Sequence, residues 1–277
     1  MNPQAFQTTQ SLPLSENAPT FVQDGVSYQF VKTEDQSPSL RLWSDEQPPE
    51  IMHHSGGALA ESIYIYGSLL SETLTRGWLP PKIASVGLGC GYNEWIAIAT
   101  CLRAGVNGVY LESFESNPIL RQTFLAWVLE EWPDDEMPND PLTEHLVALF
   151  SEVLNVVAKQ FEIGPTQLQI CGRKMLTDRT WVMRERLEPT TQYFKPYTVI
   201  FFDAFSTKST PELWSEEFLA DFLSRASAEK CALSTYAATG RLNRALKNAG
   251  FELVDYSGFA GKRQSTRAFR VQTKAGF

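Results

Sequence analysis

The segment Ser85–Trp95, SVGLGCGYNEW, joins a short apolar run to a glycine-spaced turn and then to an apolar helical pattern. That order predicts a buried strand whose carboxyl end opens into a glycine loop, the place in an open α/β sheet where a nucleotide-like ligand approaches the backbone. A nicotinamide fingerprint requires a third glycine at the sixth place of GxGxxG. Tyr92 occupies that place here, and the chain instead runs Gly87-Leu88-Gly89-Cys90-Gly91. The spacing moves the reading away from a nicotinamide dinucleotide and towards S-adenosylmethionine (SAM), whose amino-acid portion small residues allow close to the backbone. Glu115 adds to this reading. It ends the next apolar stretch, 24 residues after Gly91, where a carboxylate can accept both ribose hydroxyl hydrogens. A solvated acid at a strand end is the competing reading.

The surrounding chain alternates between strand and helix signals. SYQFVKTE at 27–34 and SLRLWSD at 39–45 resemble two paired strands, and ALAESIYIYGSLLSETL at 58–74 suits a helix. Strands are predicted at 83–88, 108–115, 167–171, 197–205, 231–236, 251–257 and 266–274. Helices are predicted at 93–105, 118–132, 142–161, 211–226 and 241–250. Pro118 and Pro211 open two of these, as proline does in a first helical turn. This alternation predicts an α/β, Rossmann-like fold with a mostly parallel sheet and an antiparallel final strand. We expect residues 1–75 to form an amino-terminal extension and residues 76–277 the cofactor-binding domain, with an acidic and helical insertion near 130–165.

Asp203 is the foremost candidate for chemistry. It follows the apolar run VIFF at the carboxyl end of an expected central strand. An acid there can hydrogen-bond an attacking amine, direct its lone pair or accept its proton; it can also simply cap the next turn. Phe205 and Trp214 either wall the site or belong to the core.

Charge bears on the partner. The chain carries a formal net charge of −8, which argues against an extensive nucleic-acid surface. From Tyr236 onward, however, eight Lys or Arg residues face only two acids, so a local basic patch fits the sequence. Four scattered cysteines and three histidines make no metal-ligand spacing, and no metal is expected. No run of eighteen apolar residues and no amino-terminal signal pattern occurs, so we expect a cytoplasmic protein without a membrane partner. The oligomeric state is not legible.

Four stretches together resemble a known family. EIMHHSGGALAESIYIY at 50–66, VGLGCGYNE at 86–94, DAFSTKSTPELW at 203–214 and STYAATGRLNRALKNAGFELVDYSGFAGKRQSTRAF at 234–269 are similar to the tRNA 5-methylaminomethyl-2-thiouridine methyltransferase family. That family is the methyltransferase part of the bifunctional bacterial enzymes that complete this wobble nucleoside. The resemblance spans roughly residues 25–275. It implies a SAM-dependent N-methyltransferase acting on the aminomethyl group of a modified wobble uridine in tRNA. It implies that Gly87, Gly89, Gly91 and Asn93 surround SAM and that Glu115 holds its ribose. It also implies that Asp203 stands beside the substrate amine, that Phe205 shapes the transfer pocket and that the Tyr236 hydroxyl orients substrate. Lys262 and Arg263 resemble a family Lys-Arg segment suited to RNA phosphates.

Three departures qualify the match. The family places an Asp after its third strand, at the adenine pocket; in CGRKML this place falls on Arg173, with Asp178 as a possible compensation. Ser206 and Thr207 replace the Ala and Pro that the family favours after its Asp-x-Phe segment. No flavin-binding segment follows, which predicts a standalone enzyme supplied with its amine by another protein. Two other readings fit the same residues: a SAM-dependent enzyme acting on a small amine or another RNA, and a non-catalytic protein of methyltransferase fold.

Overall fold

The computed structural model describes residues 20–132, 139–192, 196–261 and 264–271. Apolar runs supply the strands of its larger sheet: β5 (Lys82–Val86), β6 (Tyr110–Phe114), β7 (Trp181–Arg184), β8 (Tyr197–Phe202), β9 (Ser227–Thr235), β10 (Glu252–Val254) and β11 (Thr266–Val271). Their order is β10-β11-β9-β8-β5-β6-β7. The pairs from β9 through β7 are parallel, and β11 runs antiparallel to both β9 and β10. The expected Rossmann-like topology is therefore present, including its antiparallel last strand.

Side chains alternate across the sheet with the period of two that a pleated strand imposes. Ile83, Val199 and Phe201 face one core, whereas Ala84, Ile200 and Phe202 face the other. The first core is covered by α3 (Tyr92–Arg103), α4 (Pro118–Leu129), α5 (Pro141–Gln160) and α6 (Pro165–Thr177). Trp95 lies at its centre, edge-on to Trp127 and Trp181. The second core is covered by α7 (Glu216–Ala226) and α8 (Gly240–Asn248). Local chemistry starts these helices. Asn117 accepts from the amides of Ile119 and Leu120 ahead of Pro118, and Asp140, Ser215 and Thr239 cap α5, α7 and α8 in the same way.

The amino-terminal segment forms a separate antiparallel sheet, β1 (Thr20–Gln23), β2 (Val26–Lys32), β3 (Pro38–Ser44) and β4 (Glu50–Ile51). The expected hairpin is the β2–β3 pair. Its Tyr28, Phe30, Leu40 and Leu42 enter the first core. A helix follows in three parts: α1 (Ala58–Ser62), a π-helical turn at Ile63–Gly67 and α2 (Ser68–Thr75). The inserted α5 packs on α3, α4, α6 and β3. By length and composition, α5 is the one described helix that could cross a membrane, but Leu142, Leu146, Leu149, Phe150 and Val153 bury its apolar face in the protein core.

One expected strand is a helix. Residues 167–171 lie inside α6, and the third parallel strand is β7, ten residues further on. The short apolar alternation of Leu168 and Ile170 is not a strand signature here, because Leu168 is buried while Ile170 is 58% exposed. Pro165 at the first helical position marks the true element. The correction moves Arg173 away from the cofactor site. Its guanidinium bonds the Val128 carbonyl (2.9 Å) and pairs with Glu130 at the carboxyl end of α4, and Arg173 does not line the cleft at the strand ends. Asp178 is engaged by Lys174 on the same helix and compensates nothing.

Candidate active site

A cleft of about 430 Å³ opens at the carboxyl ends of β5, β6, β7, β8 and β9. Its floor is the glycine loop. Gly87, Gly89 and Gly91 all have positive φ (92°, 52° and 87°), a conformation that side chains resist. Space adds a second requirement. A Cβ on Gly87 would overlap the backbone carbonyl of Asp203, and one on Gly91 would stand 2.6 Å from the Phe124 ring. The loop is also tied to β6, since the amides of Gly87 and Leu88 both donate to the Phe114 carbonyl at 3.0 and 3.1 Å.

Glu115 follows β6 and is 8% exposed. Its Oε2 accepts from the Gly89 amide (3.0 Å) and its Oε1 from the Asn117 amide (2.7 Å). Burial pushes its carboxyl pKa up, and these amides, with Arg121 nearby, act against that shift. Each oxygen keeps a further lone pair for a hydroxyl hydrogen. A buried carboxylate at this strand end, beside a half-buried glycine backbone that lines the cleft, fits the ribose and amino-acid portions of SAM. Gly87, Leu88, Gly89, Glu115 and Ser116 would hold them. Cys90 lies within the loop as a buried thiol whose pKa burial raises, so it contributes packing and no thiolate.

Asp203 follows β8 on the opposite wall. Tyr66 Oη donates to its Oδ1 at 2.7 Å, and Asn93 Nδ2 donates to its Oδ2 at 2.8 Å. The Asn93 amide nitrogen is therefore engaged by Asp203, while its Oδ1 is buried without a hydrogen-bond partner. Neither Asn93 nor Gly91 lines the cleft. Phe205 does line it, and its carbonyl accepts from Trp214 Nε1 (2.6 Å). Trp214 itself is core, packed edge-on to Phe202. The Tyr236 hydroxyl donates to the Ala204 carbonyl (2.9 Å), and Tyr236 lines the cleft. Lys262 and Arg263 lie outside the described residues.

The amino-terminal extension closes the remaining side. Glu50 accepts from the Ser206 amide (3.0 Å) and hydroxyl (3.1 Å), and from the Ser209 hydroxyl. Thus the serines after Asp203 anchor the loop to β4. Glu61 accepts from the His54 amide (2.7 Å). Tyr66, Glu50 and Glu61 were not singled out from sequence. The first two meet partners 137 and 156 residues away, a separation that no local motif encodes.

Among the described residues, six carboxylates line the cleft: Glu50, Glu61, Glu115, Glu185, Asp203 and Glu212. Arg186 is the one guanidinium in the lining among the described residues, and it is paired with Glu188 at 3.2 Å. His53 adds no charge at neutral pH, because burial lowers its pKa to about 4. Such a lining favours cationic or hydrogen-bond-donating ligands over anionic ones. Among the described residues, no cluster of three His, Cys, Asp or Glu side chains is placed to hold a metal ion.

The sheet order, the glycine cradle and the acid after β6 define a Rossmann-like SAM-dependent methyltransferase, and a family model described as S-adenosyl-L-methionine-dependent methyltransferase matches residues 151–271. The chain is an enzyme of that class with SAM as its cofactor, which sets aside the reading as a non-catalytic binding protein.

More particular similarities run to the tRNA 5-methylaminomethyl-2-thiouridine biosynthesis bifunctional protein MnmC. The protein of Aromatoleum aromaticum is 28% identical over 241 residues, covering 85% of this chain and 34% of the relative. That of Hahella chejuensis is 26% identical over 242 residues, covering 81% and 35%. This chain thus spans about a third of the length of these curated relatives. The crystal structure of MnmC2 from Aquifex aeolicus superposes with a TM-score of 0.56 at 21% identity, covering 87% of this chain and 70% of that one, and so shares the fold.

Proposed function

We propose that this enzyme methylates the exocyclic amine of an aminomethyl-modified wobble uridine in tRNA. The carrying observation is the Asp203 carboxylate, fixed at the cleft wall against the glycine loop that would hold the cofactor. The names of the relatives supply the nucleoside. When bound, SAM supplies an electrophilic methyl group carried on a sulfonium. Asp203 accepts a hydrogen bond from the acceptor's N–H, which turns the nitrogen lone pair along the line of transfer. The N–C bond forms as the S–C bond breaks, and Asp203 takes up the proton that the nitrogen then sheds. Tyr236 and Phe205 border the acceptor side, the first with a hydroxyl that orients substrate and the second as an apolar wall that excludes water. Lys262 and Arg263 are proposed to meet RNA phosphates, and the cytoplasm is the compartment where such a tRNA is encountered.

A second reading rests on the acidic lining. Six carboxylates around the cleft suit a small cationic amine as well as a nucleobase side chain. Mass analysis of nucleosides after incubation with SAM distinguishes the two. Transfer to tRNA bearing the aminomethyl uridine, with none to unmodified tRNA, supports the first. No mass gain on either tRNA, by an enzyme shown to bind SAM, rejects it in favour of the second.

A further inference from the structure

Tyr66 and Asn93 approach Asp203 from different elements and take one carboxylate oxygen each. Tyr66 belongs to the π-helical turn between α1 and α2, and Asn93 to the first turn of α3. A π turn inserts an extra residue and re-aims the side chains around it, and such turns recur at functional sites. Here the turn presses directly on α3. A Cβ on Gly67 would stand 2.9 Å from Ile96 Cγ2, so a side chain there would have to push the Ile96 side chain aside. The Tyr66 ring also leans on Phe201 of β8, the strand that delivers Asp203. Burial, and then the Asp203 charge, raise the phenol pKa well above its ordinary value, so the hydroxyl remains a neutral donor at every working pH.

The plain alternative is a buried phenol and a buried amide that merely satisfy one another's neighbourhood. Asn93 argues against it. Its Oδ1 is buried with no hydrogen-bond partner, while its Nδ2 is committed to Asp203. An amide turned only to satisfy itself would not leave its acceptor unpaired. The backbone of Asp203 is fixed as well, its amide donating to the Val86 carbonyl at 2.9 Å. With the main chain and both oxygens held, the carboxylate is fixed in one orientation at the cleft wall.

We propose that Tyr66 is a positioning residue for the transfer reaction, acting with Asn93 to fix the Asp203 carboxylate against the position of the transferred methyl. This rests on the catalytic reading of Asp203 and is independent of which acceptor the enzyme uses. The test therefore contains no acceptor. Sinefungin carries an amine where SAM carries its methyl-bearing sulfonium, and S-adenosylhomocysteine carries neither the charge nor the methyl. The ratio of their dissociation constants, measured by titration calorimetry, reads the carboxylate at that position.

The wild-type enzyme is expected to prefer sinefungin, and Tyr66→Phe to reduce that preference at least about fivefold, with S-adenosylhomocysteine affinity within about twofold. Asp203→Asn abolishes the preference, and adding Tyr66→Phe to Asp203→Asn changes nothing further. Asn93→Ala gives the same pattern from the other arm. The proposal is overturned if the wild type shows no preference, if Tyr66→Phe leaves it intact, or if Tyr66→Phe lowers it equally in the Asp203→Asn background. Failure to methylate tRNA would leave all of these readings untouched.

Discussion

Gly87 and Asp203 meet backbone to backbone: any side chain at Gly87 would occupy the position of the Asp203 carbonyl oxygen. The glycine loop and the acid proposed to serve the acceptor are therefore built from one contact between the ends of β5 and β8. Gly87→Ala should disturb both at once. With φ at 92° and no room for a Cβ, we expect a loss of about 1–3 kcal/mol of stability. SAM affinity should fall in parallel. Thermal unfolding with and without SAM checks this, and an unchanged ligand-induced rise in Tm would refute it.

Asp203→Asn separates binding from chemistry. The replacement amide brings an N–H where the Tyr66 hydroxyl or the Asn93 amide already donates, so it loses charge and orientation together. S-adenosylhomocysteine binding should remain within a few-fold, while the transfer rate at saturating SAM falls on the order of 10²-fold or more. Calorimetry beside a single-turnover rate measures each quantity, and a variant as fast as the wild type would remove Asp203 from the mechanism.

The cofactor half of the site was legible because it is local. Gly87, Gly89 and Gly91 are neighbours in the chain, and their spacing reflects the backbone conformation that each must adopt. Glu115 was legible because a strand end can be counted from an apolar run. The third strand was not, because five residues of apolar alternation fit a helix face as readily as a strand. Gly172 carries the decisive constraint: a Cβ there would meet the Trp95 ring at 2.6 Å, so α6 packs on α3 through glycine. The grip on Asp203 was equally hidden. Tyr66 reads as one more apolar helix residue until the fold brings β8 beside it.

Arg173→Ala tests the corrected strand assignment. Because Arg173 bonds only outer-helix groups, SAM affinity should change less than twofold. Its partly exposed pair with Glu130 and its bond to Val128 predict a stability loss of about 1 kcal/mol. A large loss of SAM binding in a folded variant would return Arg173 to the adenine pocket.

Glu94 predicts a pH dependence of stability. It is fully buried on α3, and neither carboxyl oxygen has a hydrogen-bond partner. Burial raises its pKa from 4.5 to about 8, partly offset by the nearby Ser85 and Ser113 hydroxyls. The native state thus keeps a proton that the unfolded chain releases. The contribution of the protonated form is fully present below pH 4.5 and is lost as pH rises to about 8. Glu94→Gln should leave Tm nearly unchanged at pH 5 and raise it at pH 8. Equal shifts at both values would contradict the assignment.

Glu50→Ala should act on the acceptor alone. Removing the carboxylate frees Ser206 and Ser209 and loosens the loop after Asp203. We expect acceptor KM to rise on the order of 10-fold, about 1.4 kcal/mol, with SAM affinity unchanged. A matching loss of SAM affinity would show that the loop also supports the cofactor.

The clasp between Glu50 and the serine loop has a consequence for inheritance. The groups proposed to face the cofactor come from strand ends of the parallel sheet, whereas another part of the cleft wall comes from residues 47–61 of the extension. The two are encoded in separate stretches of chain. A lineage could therefore exchange the molecule it methylates by rewriting the extension and its serine partners, and keep its methyl donor throughout.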